Sequence, residues 1–244
     1  CTDTGAAADF YTRVLAPCGV RELMRYEAPG GGAVVGLCGP DSFPRLWLGS
    51  AVDTGHRPVH VAISAPSREA VDAVFAAATD AGTAILHEPR VWPEYHPGYY
   101  AVFVRDPDGN NVEAVHHEDL RRGGNVDHLW ILVADLAAST RFYETIAPHA
   151  RFGVASEDPE RVQFAGNGPG SFSVLSGDHV TEALHMAFPA NADQAVRDFH
   201  QAAVEAGYAD NGEPGERPGY HPGYYAAFAL DADGHNIELV NHNR

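Results

Sequence analysis

Two periods of apolar and polar residues take turns along this chain. Residues 5–16, GAAADFYTRVLA, place Ala8, Tyr11, Val14 and Leu15 at helical spacing, and Pro17 and Gly19 close that helix. Extended segments follow at 22–28, 33–39 and 45–50, separated by glycine and proline. A strand at 58–64, PVHVAIS, leads through Pro66 and Ser67 into a helix over 68–82 that stops at Gly82. Residues 84–88, 98–106 and 110–117 read as strands, the last two joined by the turn DPDG at 106–109. A second series then begins. A strand at 125–135 runs into a helix over 136–147, followed by strands at 161–166, 171–176 and 183–188, a helix over 192–207, and strands at 223–231 and 235–242.

The two series are copies. YHPGYYAVFVRDPDGNNVE (95–113) and YHPGYYAAFALDADGHNIE (220–238) agree at 13 of 19 positions with an offset of 125, and the offset carries back to VHVAIS and LHMAFP. That period exceeds the roughly 20–50 residues of solenoid units, so it marks a duplicated domain. The division expected is a first domain over 1–118, a polar linker over 119–125 containing Gly123-Gly124, and a second domain over 126–244. Each copy reads as paired βαβββ modules, an α+β arrangement with helices packed on an antiparallel-rich sheet. The first copy lacks its opening strand. With Phe142-Tyr143 matched to Phe10-Tyr11, the counterpart of His128 falls before Cys1, so either residues precede Cys1 or the first module is degenerate.

Composition narrows the function classes. A formal net charge of −17 opposes binding to nucleic acid or to anionic membrane surfaces. No apolar run approaches the roughly 18 residues of a membrane span. Cys1, Cys18 and Cys38 are odd in number, confined to the first copy and without CxxC spacing, which opposes a disulfide framework or thiolate zinc site and suggests a reducing cytoplasm.

What the duplication holds fixed includes a histidine, His60 or His185, and a glutamate, Glu113 or Glu238. Strand alternation sets Glu113 opposite Val112 and Ala114, and Glu238 opposite Ile237 and Leu239. A mid-strand carboxylate between apolar neighbours is costly to bury alone, so it should meet solvent, a cation or a donor. His185 lies opposite Leu184 and Met186, and His128 shares a face with Trp130 and Leu132. Imidazoles and carboxylates together suit Fe, Zn, Ni, Mn or Co. His96 and His221, in the repeated YHPGYY, precede a strand and read either as substrate contacts or as packed loop residues. Tyr100 and Tyr225 read as hydroxyl donors to a substrate or as core aromatics, and Trp47 and Trp130 as cavity walls or core. The Gly- and Pro-rich run at 215–223 reads as a loop at a cavity mouth.

Paired βαβββ modules, a histidine on the first strand, HPGYYAAF and D-x-D-G-x-N-x-E together resemble the vicinal oxygen chelate superfamily. That family includes glyoxalase I, extradiol dioxygenases and the bleomycin and fosfomycin resistance proteins. The resemblance implies a curved half-barrel sheet in each of two glyoxalase-like domains, with a divalent metal on its concave face. It implies His128, His185 and Glu238 as ligands in the second copy, and His60 and Glu113 in the first. Fused pairs also allow a composite site in which His128 joins His60 and Glu113. Glyoxalase I draws a further acid or amide ligand from its fourth strand. The strands RLWLGS and SFSVLS offer none, so the donor set comes closer to the extradiol dioxygenases.

The expected function is therefore a metal-dependent enzyme acting on a small oxygen-rich molecule, as a dioxygenase or as a lyase or isomerase. The alternative is a non-catalytic protein that sequesters a drug, like the bleomycin-resistance branch. The expected partners are a small-molecule substrate or ligand alone, with the domains pairing within the chain as a monomer or homodimer.

Overall fold

The computed structural model describes residues 1–28, 31–50, 58–118, 126–166 and 170–243. The expected linker at 119–125 lies outside the described residues. The chain divides into two compact units, Cys1–Trp130 and Ile131–Arg244.

The first unit opens with helix α1 (Thr4–Val14), whose N-terminus is capped by the Asp3 carboxylate accepting from Ala6 N at 2.9 Å. Strands β1 (Arg21–Glu27), β2 (Ala33–Cys38) and β3 (Pro44–Gly49) form an antiparallel sheet of their own. Then come β4 (Val59–Ser64), helix α2 (Arg68–Asp80), β5 (Ile85–Val91), β6 (Tyr100–Arg105), β7 (Asn111–His116) and β8 (Val126–Val133), and the division between units falls within β8. Here the strand order is β5-β6-β7-β4-β8, with β4 parallel to β7.

This sheet packs against the helices on one face. Val61, Ile63, Val102, Val104, Val112 and Ala114 point to the side covered by α1 and α2, where Phe10, Val14, Val71 and Val74 complete an apolar core. Each such buried side chain contributes about 1.5–3 kcal/mol relative to exposure. The alternate residues, His60, Ala62, Phe103 and Glu113, occupy the other face. The helix face carries the larger apolar core, and the opposite face sets His60 and Glu113 beside a smaller apolar cluster of Ala62, Trp92, Tyr99, Ala101, Phe103 and Val115.

In the second unit, helix α3 (Leu136–Ala150) is followed by β9 (Phe152–Asp158), β10 (Arg161–Gly166) and β11 (Ser171–Ser176), in the antiparallel order β11-β10-β9. Next are β12 (His185–Pro189), helix α4 (Asp193–Glu205), β13 (Asp210–Glu216), β14 (Tyr225–Leu230) and β15 (Asn236–Asn241), in the order β12-β15-β14-β13 with β12 parallel to β15. The register repeats. Ala62 faces Glu113 in one unit, and Ala187 faces Glu238 in the other.

Two strands depart from the sequence reading. β9 and β13 carry almost no inward apolar residues, and β13 reads DNGEPGE. Both are edge strands held by backbone pairing, where proline and glycine are tolerated. β13 also takes up the beginning of the run expected to be a loop at 215–223.

The repeated D-x-D-G turns serve the fold. Asp106 accepts from the backbone N–H of Asp108 and Asn110, from Asn110 Nδ2, and from Tyr11 of α1 at 3.1 Å. Asp231 does the same for Asp233, His235 and Tyr143. Gly109 and Gly234 close the turns at φ +85°.

Candidate metal centre

His60 is the second residue of β4, and its partner across the parallel ladder is Asn111. Two residues on, Ala62 lies opposite Glu113. His60 and Glu113 are therefore diagonal neighbours on one face, and the small Ala62 leaves room for the glutamate to reach the imidazole. Glu113 Oε2 lies 3.1 Å from His60 Nε2. His128, on β8, brings its Nε2 to 3.0 Å from His60 Nε2 and 3.3 Å from Glu113 Oε2. All three residues are buried. They are the His/Cys/Asp/Glu group among the described residues whose ligand atoms converge closely enough to hold a metal ion.

The separations fit an ion. Donors at right angles around a metal about 2.1 Å away sit roughly 3.0 Å apart, and tetrahedral donors roughly 3.4 Å apart. The triangle of 3.0, 3.1 and 3.3 Å spans one face of a coordination sphere and leaves the opposite positions open.

Neighbouring groups orient the donors. Tyr99 donates its hydroxyl to Glu113 Oε1 at 2.5 Å. Asp127 accepts from His128 Nδ1 at 2.9 Å, from His117 Nε2 at 3.1 Å and from Ser64 Oγ at 3.2 Å. His60 is held differently: its buried Nδ1 has no hydrogen-bond partner among the described residues. Its ring instead packs 4.8 Å from Trp130 and 6.0 Å from Phe103.

Hydrogen bonds within this cluster outweigh the effect of burial. Burial pushes the Glu113 carboxyl up, and hydrogen bonds with His128 and His60 more than reverse it, leaving it below the usual carboxylate range. Asp127 behaves alike, with burial overcome by His117 and His128. Burial alone would lower the His128 pKa, but the bonds to Asp127 and Glu113 lift it to about 9. The proton that this anionic pocket retains on His128 is what a divalent ion would displace.

The other expected residues fall elsewhere. His185 and Glu238 meet each other at 2.8 Å in the second unit, with Glu238 buried and His185 47% exposed. Tyr224 donates to Glu238 as Tyr99 does to Glu113. Thus His128, expected beside His185 and Glu238 or else beside His60 and Glu113, takes the second arrangement. Tyr100 and Tyr225 do not line this face. The Tyr100 hydroxyl meets Asp72 of α2, and the Tyr225 hydroxyl meets Arg197 of α4, because adjacent strand residues point to opposite sides. His96 and His221 bond to His117 and His242. Trp47 lies half exposed on β3, against Gly36. Asp127, Tyr99 and His117 went unread in the sequence. An acidic residue beside a strand histidine and a doubled tyrosine were the available signals.

Comparison with known proteins agrees with the fold. Residues 1–114 match the model of the Glyoxalase/Bleomycin resistance protein/Dioxygenase superfamily. No curated protein sequence matches the chain. Glyoxalase I from Zea mays superimposes with a TM-score of 0.71 at 19% identity, over 99% of this chain and 89% of that one. A Bacillus subtilis subsp. subtilis str. 168 protein, named provisionally as a dioxygenase, gives 0.67 at 14% identity, over 97% of this chain and 81% of that one. At these identities the likeness is one of fold. Residues 1–114 thus match the model of the Glyoxalase/Bleomycin resistance protein/Dioxygenase superfamily, their signature recurs 125 residues on, and the whole chain shares the fold of glyoxalase I.

Proposed function

We propose that this protein is a metal-dependent enzyme acting on a small oxygen-rich molecule at a divalent ion held by His60, Glu113 and His128. The observation that carries the proposal is the buried donor triangle with sides of 3.0, 3.1 and 3.3 Å. Two imidazoles and one carboxylate on a single face form the donor set used by non-haem iron oxygenases, so dioxygenation is the reaction favoured over the chemistry of glyoxalase I. A bound ion would supply Lewis acidity and open positions for two substrate oxygens.

The chain's own residues have separate tasks. Tyr99 and Asp127 hold two of the donors in place. Trp130 and Phe103 flank His60 with aromatic surface, which keeps water from that side of the site. His185 and Glu238 offer two donors, one fewer than the first set. The three free cysteines suit a reducing cytoplasm.

The test is metal content by elemental analysis of the wild type and of His60→Ala and His128→Ala, followed by oxygen uptake with catechols. Near-stoichiometric metal that both variants lose, with uptake by the iron form, is the expected result. A wild type that stays free of metal after incubation with divalent ions would reject the enzyme and point to a drug-sequestering protein.

A further inference from the structure

His96 and His117 lie outside the donor triangle, yet they are joined to it by an unbroken line of hydrogen bonds. The backbone nitrogen of Gly98 lies 3.1 Å from His96 Nδ1. A backbone N–H can only donate, so Nδ1 accepts and the ring proton of neutral His96 sits on Nε2. That Nε2 is 2.8 Å from His117 Nδ1, which must then accept. The His117 proton is therefore on Nε2, 3.1 Å from Asp127 Oδ1. The same oxygen accepts from His128 Nδ1 at 2.9 Å, which leaves His128 Nε2 to face His60 and Glu113. The tautomers of His96 and His117 are forced in turn from a backbone group that cannot reverse, and the Asp127 carboxylate, which only accepts, forces that of His128.

The second unit shows that this direction is a local choice. His221 and His242 repeat the pair, with Nε2 and Nδ1 3.0 Å apart. There, however, His221 Nδ1 lies 2.8 Å from the Pro222 carbonyl, which can only accept. The proton of neutral His221 is thus on Nδ1, and its Nε2 accepts from His242. The same two residues carry opposite polarity, set by an amide in one unit and a carbonyl in the other.

We propose that His96 and His117 are positioning residues of the metal centre: the Gly98 amide, acting through both rings, turns the His117 Nε2–H onto Asp127 and so holds the carboxylate that fixes the tautomer and orientation of His128, with the His128 Nε2 lone pair toward the ion. The inference rests on the metal reading given above. Burial, and then His117, hold the His96 pKa below its ordinary value, in keeping with a neutral ring. Partners of this kind typically change metal affinity by about 10–100-fold.

The test uses chelator-treated protein in a His185→Ala background, so that zinc at the His185–Glu238 pair is not counted. Zinc affinity is measured by competition with a fluorescent chelator, and ring tautomers by long-range ¹H–¹⁵N NMR of the metal-free protein. The expected spectrum shows His96 and His117 as Nε2–H tautomers. His117→Leu should bind zinc roughly 10–100-fold more weakly. His117→Gln, whose amide still donates toward Asp127, should regain most of the affinity, and His96→Leu should lose less than His117→Leu. If His117→Leu fails to fold by circular dichroism, the spectrum and the Gln variant decide. A background protein that binds no zinc removes the metal reading and this inference with it. Zinc bound equally by the background protein and a folded His117→Leu, or an Nδ1–H tautomer on either ring, removes this inference alone.

Discussion

Tyr99 donates its hydroxyl to Oε1 of Glu113 across 2.5 Å, leaving Oε2 of the same carboxylate for the two imidazoles. One oxygen is held so that the other can bind. Tyr99→Phe removes that hold, and about 1.5–3 kcal/mol of stability should go with a buried hydrogen bond to a charged group. Metal affinity should fall as well. Tyr100→Phe, one residue away, touches Asp72 of α2 and should leave metal affinity at the wild-type value. Urea melts and zinc titrations of the two variants check this. Equal losses of affinity would show that strand alternation does not divide the roles of these tyrosines.

Metal binding should appear as stability. An ion present at 100 times its Kd adds about 2.7 kcal/mol to a folded state that alone binds it. For a domain of this size, that corresponds to a rise in Tm of roughly 5–10 °C. The rise should vanish with EDTA and in Glu113→Gln and His60→Ala. Calorimetry with and without Zn²⁺ or Fe²⁺ measures it.

The fold and the site were legible to different degrees. The 13 identities between the copies showed the duplication, and alternation placed Glu113 and Glu238 away from the helices. Strands β9 and β13 were hidden because edge strands held by backbone bonds need no apolar code. The five metal candidates were visible as residue types, but their grouping was not. Whether His128 joins His60 or His185 depends on which strand lies beside β8, and strand order leaves no mark in local sequence. Tyr100 was read where Tyr99 acts because both belong to one doubled tyrosine, and only the register tells which of them faces the donors.

The turn aspartates should matter more to stability than to function. Tyr11→Phe deletes a buried bond to Asp106 and should cost about 1.5–3 kcal/mol. Asp106→Ala, which also strands two backbone N–H groups, should cost more. The midpoint of urea unfolding should fall in that order, with zinc affinity of the folded protein preserved.

Thiol chemistry offers an independent check on the core. Cys18 and Cys38 are buried and Cys1 is partly exposed, so one thiol should react with Ellman's reagent in the native protein at pH 8, and three after unfolding. Burial pushes the Cys18 thiol up to about 12. Its folded pKa thus exceeds its ordinary value of 9.0, and the folded state holds the proton longer. The contribution of this group is unchanged below pH 9, and stability declines as pH rises from 9 toward 12. Fast reaction of two or more thiols in the native state would contradict the packing of the turn after α1 and of the end of β2.

His128 belongs by descent to the second copy of the sequence, yet its imidazole completes the donor set begun by His60 and Glu113 in the first. The seam left by the duplication and the edge of the donor triangle therefore do not coincide. A gene divided at the junction of its two repeats would encode two fragments, one carrying two of the three donors and the other carrying the third. Neither fragment alone would carry the full donor triangle.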